Sequence, residues 1–273
     1  MHRFRPIAAL LGVAALAACG TGGPQDILGT VPAARIKFFN FGVNAPGVNF
    51  YANDAKVTAV SSTSCTPPAD TTTACRTTGI ESTTGTTYGN VAAGGFYSGI
   101  TPGQYTLSSR IAAATDNGLA VANVPATLSD GKSYSFYVSG IYNTTTKAVD
   151  AFVVEDNYPQ QVSADTIYVR FVNAISNAGP LTMYLRNPVS GAVGQVSAPI
   201  AYKAAGGFVT IPFSGLGVAD VLVRTAGATT NLATLTGLSF GSGRVYTVTA
   251  RGDATVTSST AATRPQLDNT ANR

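Results

Sequence analysis

Ile36-Lys37-Phe38-Phe39-Asn40 and Val169-Arg170-Phe171-Val172-Asn173 carry one pattern twice: apolar, cation, Phe, apolar, Asn. Working outward in the same register, Asn44-Ala45 is answered by Asn177-Ala178, and Phe50-Tyr51 by Met183-Tyr184. Further on, Ala92-Ala93-Gly94-Gly95-Phe96 returns as Ala204-Ala205-Gly206-Gly207-Phe208. Gly131-Lys132-Ser133-Tyr134 returns as Gly243-Arg244-Val245-Tyr246. Self-similarity at a fixed spacing is the signature of a repeated structural unit. The spacing is 133 residues for the first matches and 112 for the later ones, so about 21 residues are inserted in the first unit between Tyr51 and Ala92.

Within each unit the hydrophobic period is two, the period of a strand. Tyr246, Val248 and Ala250 alternate with Thr247, Thr249 and Arg251, and Ile167, Val169 and Phe171 alternate with Tyr168 and Arg170, Val172 being the exception. Turn residues follow every 8–12 positions. Thr101-Pro102-Gly103-Gln104 predicts a type II turn with Gly103 at positive φ, and Asp130-Gly131 and Gly241-Ser242-Gly243 precede the last long strands in the same way. Ile111–Ala122 competes as a helix but is interrupted by Asp116-Asn117-Gly118. Repeated short strands between polar turns predict an all-β chain of two tandem antiparallel β-sandwich, immunoglobulin-like domains.

Composition narrows the function classes. Hydrophobic residues make up 45% of the 273 and charged ones 11%, with a net charge of +4, which excludes disorder throughout. The 17 basic residues form no run, which argues against a nucleic-acid partner.

The N-terminus reads as an export signal. His2-Arg3-Phe4-Arg5 is basic, and the apolar run Ile7–Ala18 is too short to span a membrane, which takes about 20 residues. Leu16-Ala17-Ala18-Cys19 resembles the lipobox of bacterial lipoproteins. That resemblance implies a signal peptide over 1–18 and diacylglyceryl transfer to the Cys19 thiol. Cleavage before Cys19 would then leave a chain held to the membrane by its first residue. Gly20 in place of Asp implies sorting to the outer membrane. Two or more acyl chains anchor stably where one does not, and 19–32, rich in Gly, Pro and Thr, reads as the tether.

With Cys19 lipidated, Cys65 and Cys75 remain as a pair. A metal or redox site would use two thiols, but zinc wants four ligands and the spacing is not C-x-x-C. A structural disulfide closing the polar loop Thr66–Ala74 is the plainer reading, worth about 2–3 kcal/mol by loop entropy. The insertion holding it is either a binding excursion over 52–91 or a neutral, stapled loop.

The segments Arg35–Asn40, Pro46–Tyr51, Pro102–Leu107 and Gly131–Val138, then Ile167–Asn173, Pro180–Tyr184 and Gly243–Val248, resemble the bacterial domain-of-unknown-function 4397 family. The resemblance covers most of 34–252, with Gly215-Leu216-Gly217 standing where the first copy has Pro-Gly. It implies an exported sandwich, often in tandem, and no catalytic residues. The expected organisation is repeat 1 at 33–155, a linker at 156–164, repeat 2 at 165–252 and a disordered tail at 253–273.

Chemistry is sparse. His2 is the only histidine, so a processed chain has no imidazole base. No catalytic residue, cofactor or metal site is expected. Glu155-Asp156-Asn157, with Asp150 and Asp165, offers hard oxygens that suit Ca²⁺ or forms a solvated linker. Tyr97, Tyr142 and Tyr158 are candidate sugar platforms, with core packing as the plainer account. The expectation is a non-enzymatic envelope lipoprotein, a spacer or adhesion module whose partners are the membrane, through its anchor, and an envelope protein or polysaccharide. The alternatives are a carboxylate-based hydrolase or a carbohydrate-binding protein.

Overall fold

The computed structural model describes residues 34–58, 84–213 and 217–273. Cys19, Cys65, Cys75, the signal-peptide and tether segments, and Gly215-Leu216 lie outside the described residues.

The first half builds β1 (Ala34–Asn40), β2 (Val48–Ala52), β3 (Ala55–Lys56), β4 (Asn90–Val91), β5 (Ser98–Ile100), β6 (Gly103–Ile111), β7 (Ala120–Leu128), β8 (Ser133–Asn143) and β9 (Ala148–Glu155). One sheet runs β4-β1-β8-β9, with β5 also on β1, and the other runs β3-β2-β6-β7. The second half builds β10 (Thr166–Asn173), β11 (Leu181–Arg186), β12 (Val193–Gln195), β13 (Ala204–Ala205), β14 (Val209–Pro212), β15 (Val218–Thr225), β16 (Ala233–Ser239), β17 (Val245–Arg251) and β18 (Gln266–Ala271). Its sheets run β13-β10-β17-β18, with β14 on β10, and β12-β11-β15-β16, the strand order of the first half. The fold is all-β, as expected, with one amendment. Each sandwich pairs its first and penultimate strands in parallel, β1 with β8 and β10 with β17.

Each sandwich has its own core. Ile36, Phe38, Phe50, Leu107 and Phe136 fill the first, where Phe38 and Phe50 stack with ring centroids 4.9 Å apart. Val169, Phe171, Met183, Val221 and Val248 fill the second. A third cluster belongs to both halves: Phe39, Phe41, Tyr137 and Phe152 from the first pack with Val172 and Ala174 from the second. The sheets containing β1 and β10 therefore face each other, and their strands are buried on both faces. That is why Phe39 and Val172 break the alternation: strands covered on two sides read as near-continuous apolar runs. The sheets containing β2 and β11 form the outer layers of a four-sheet stack.

The motif residues now have physical roles. Asn40 donates through Nδ2 to the Pro46 carbonyl (3.0 Å) and the Thr86 carbonyl (2.8 Å). Asn173 does the same to Gly179 and Ile200, both at 3.1 Å. Each buried asparagine thus pins the loop after its opening strand to the segment that leads back beside it. The Tyr134 hydroxyl accepts the Ser129 N–H (3.0 Å) and the Tyr246 hydroxyl accepts the Gly241 N–H (2.7 Å), closing the same corner in each half. Gly131 and Gly243 in those corners have φ of 69° and 65°, a region that favours glycine.

Ile111–Ala122 forms the end of β6, a turn and the start of β7, with Asp116 and Gly118 at positive φ interrupting it as the sequence implied. Three expectations are corrected. Gly103 is not at positive φ; the chain there leaves the sheet of β5 for the opposite sheet, and the Tyr105 hydroxyl braces the corner by donating to the Thr101 carbonyl (2.7 Å). The segment 156–164 is not a solvated linker throughout: Asp156 and Tyr158 are buried. Residues 253–273 are not a disordered tail, since β18 pairs antiparallel with β17 and buries Leu267, carrying the second sandwich past 252.

Candidate functional site

Polar chemistry concentrates where the two inner sheets meet. Lys37 on β1 and Arg170 on β10 occupy the equivalent position of their sandwiches, and each is only 2% exposed. Both point away from their own cores, because their neighbours at 36, 38, 169 and 171 point inward. Asp156, just past β9, is the anion between them. It pairs with the Arg170 guanidinium, accepts from Ser135 Oγ (2.8 Å) and accepts from the Tyr97 hydroxyl (2.7 Å). Arg170 also donates to Thr247 Oγ1 (3.0 Å) and the Glu155 carbonyl (2.9 Å), and its guanidinium lies 4.8 Å from the Phe208 ring centroid. Lys37 Nζ donates to the Ala271 carbonyl and sits 4.4 Å from the Tyr97 ring centroid. Asn272 Nδ2 closes the network by donating to the Tyr97 hydroxyl (2.8 Å).

Burial in this layer sets the proton affinities. Desolvation pushes Lys37 down to about 8, with Asp156 opposing the shift and Arg170 adding to it. Burial raises the Tyr97 hydroxyl far above the ordinary phenol range, and the neighbouring Asp156 charge adds to the rise. The Tyr137 hydroxyl is pushed up to about 12 by complete burial. The groups in the network come from β1 and β8 on one side, β10 and β17 on the other, and the segments just past β9 and β18, so it ties the two inner sheets together.

The carboxylates weighed as calcium ligands against a solvated linker are parted by their partners. Asp150 pairs with Lys203 (2.8 Å), Glu155 with Lys132 (2.8 Å) and Asp156 with Arg170. Among the described residues no group of three or more metal-ligating side chains comes together. The tyrosines considered as sugar platforms are also engaged: Tyr97 in the network above, Tyr142 against the first core, and Tyr158 buried with its hydroxyl 3.3 Å from Ser133 Oγ.

A second constellation, missed from sequence, lies on the outer sheets. Arg110 on β6 stacks on Tyr51 of β2, with 4.4 Å between guanidinium carbon and ring centroid. Arg224 on β15 stacks on Tyr184 of β11 at 4.6 Å. The registers coincide: Asn49 lies opposite Arg110 and Tyr51 opposite Ser108, as Thr182 lies opposite Arg224 and Tyr184 opposite Leu222. The signal was present in the sequence as Tyr51 aligned with Tyr184, but the arginines belong to strands whose alignment the shifted spacing hid. Beside the first stack, at the end of the same sheet, Asn53, Gln104, Thr106, Pro125 and Thr127 line a polar hollow of about 460 Å³.

No curated protein matches the chain. Among solved structures, it is similar to a family-26 carbohydrate-binding module, CBMbc of Eubacterium rectale Amy13K, solved in complex with maltoheptaose. The identity is 11% over 87% of this chain and 95% of that one, with a TM-score of 0.22. The sequence model of the family described as "Domain of unknown function (DUF4397)" matches residues 34–184, which takes in all of the first sandwich and the opening strands of the second. With more than half of its length matched in this way, the chain belongs to the DUF4397 family.

Proposed function

We propose that this chain is a lipid-anchored, non-enzymatic protein of the bacterial cell envelope. Two tandem copies of the family's sandwich, locked into one stiff body, would serve as a spacer and binding module at the outer membrane. The carrying observation is the buried junction: Lys37, Asp156, Arg170 and the Phe39–Tyr137–Phe152 cluster join the inner sheets. Domains meant to move independently tend to meet through small, polar interfaces. Stiffness suits a part that must hold a binding face at a set distance from a membrane, and the outer sheets and loops are the surfaces left to do the binding. The non-enzymatic reading is supported by the loss of His2 with the signal peptide and by the separate commitment of Asp150, Glu155 and Asp156 to cations.

Fractionation of cells producing the wild type and Cys19→Ser tests the anchor. The wild type should sediment with membranes and the variant should appear in the soluble envelope fraction; identical partitioning would refute lipidation. Non-reducing peptide mapping should join Cys65 to Cys75, and two free thiols there would remove the staple.

A further inference from the structure

We infer that the Tyr184–Arg224 stack on the outer sheet of the second sandwich is a binding site for an acidic polysaccharide. The stack holds the guanidinium over the ring, its central carbon 4.6 Å from the ring centroid, and spends only one of its nitrogens on the protein. Arg224 Nε donates to Asn231 Oδ1 (2.8 Å), and its two terminal nitrogens make no hydrogen bond among the described residues. No carboxylate lies within ion-pair distance of it there, whereas Arg186, further along the same strand pair, is tied to Asp220 by bonds of 3.0 and 2.7 Å. A half-exposed guanidinium with a free two-nitrogen edge has the geometry for bidentate capture of a carboxylate.

Comparison within the chain argues that the stack is more than surface filling. Around it the two outer sheets differ: Asn49, Ser108 and Asn123 in the first become Thr182, Leu222 and Thr234 in the second. The tyrosine and arginine alone stay the same at these positions. The first stack is nevertheless closed to an anion, because Arg110 Nη2 is held by Asp54 (2.9 Å) and the Asn53 carbonyl (3.1 Å). Asp54 is 98% exposed, so it acts as a removable cap.

The neighbours of Arg224 favour a sugar over a protein as the carrier of that carboxylate. Thr234 and Asn231 supply hydroxyl and amide groups for sugar hydroxyls, and the Tyr184 hydroxyl adds another. No large apolar side chain stands exposed among them, whereas the centre of a protein interface is usually apolar and aromatic. A uronate chain supplies a carboxylate on each sugar and hydroxyls between them.

This site rests on the reading of the chain as a binding module, and its test is separable from that reading. The full-length protein in detergent micelles is run in affinity electrophoresis through gels containing polygalacturonate, with amylose as the neutral control. Polygalacturonate should retard the wild type and amylose should not. Arg224→Gln should weaken the retardation at least tenfold with an unchanged melting temperature. Arg224→Lys, which keeps the charge and loses the fork, should fall between. Asp54→Asn should strengthen retardation by opening the first stack. Equal retardation of the wild type and Arg224→Gln, equal retardation by amylose, or none by polygalacturonate would each overturn the site. A protein that ignores polygalacturonate yet needs Cys19 to reach the membrane loses the site and keeps the anchored-module reading.

Discussion

Arg170 of β10 and Asp156 beyond β9 form an ion pair whose side chains are 2% and 0% exposed, sealed between the inner sheets of two sandwiches. Such a pair gains little over a well-packed apolar substitute, but removing one partner strands a buried charge. Here that charge also organises Ser135, Tyr97 and, through Tyr97, Asn272. The pair is therefore the fastening of the junction.

Asp156→Ala should lower stability by about 3–5 kcal/mol, the usual effect of breaking a buried pair. Asp150→Ala, which removes the half-exposed pair with Lys203, should change it by less than about 1 kcal/mol. Urea denaturation of both variants measures the difference.

Asn40→Ala and Asn173→Ala should each cost about 1–3 kcal/mol, because each leaves two carbonyls without their side-chain donor. Paired thermal melts would show whether the two equivalent asparagines have equivalent effects.

Lys37 gives the junction a pH dependence of known sign. Burial lowers its folded pKa from 10.5 to about 8, so between those values the unfolded chain binds more protons. Stability then rises with pH across that window. Below about pH 8 the lysine is charged in both states and its penalty is constant. Tyr97 and Tyr137 act in the opposite direction, but only from about pH 10, the ordinary phenol pKa. The stability difference between the wild type and Lys37→Met, followed from pH 7.5 to 9.5, should therefore move in the wild type's favour as pH rises.

Deleting 265–273 should destabilise the whole body rather than trim a tail. It removes Leu267 from the second core, the Ala271 carbonyl from Lys37 and Asn272 from Tyr97. Limited proteolysis should find the truncated chain cleaved in both sandwiches sooner than the wild type.

The strands, their order of appearance and the paired asparagines and tyrosines were legible in the sequence, because each sandwich repeats its alternation and its corner residues. The junction was not. Lys37 and Arg170 read as outward charges on half-buried strands, and only the apolar Phe39 and Val172 beside them hinted that the second face is covered. Asp156 sat in a polar stretch that resembled a linker, since its partners come from β10, β8 and the Tyr97 turn rather than from nearby sequence. β18 was missed because Gln266-Leu267-Asp268-Asn269-Thr270-Ala271 has one large apolar residue and takes its strand character from β17. The Tyr184–Arg224 stack needed the strand register to bring its two residues together.

The central claim is that two sandwiches make one mechanical body, and scanning calorimetry of the full chain tests it most directly. The account predicts a single transition in the wild type, with a calorimetric enthalpy equal to the van't Hoff enthalpy, separating into two in Asp156→Ala. Two independent transitions in the wild type, insensitive to Asp156, would contradict it.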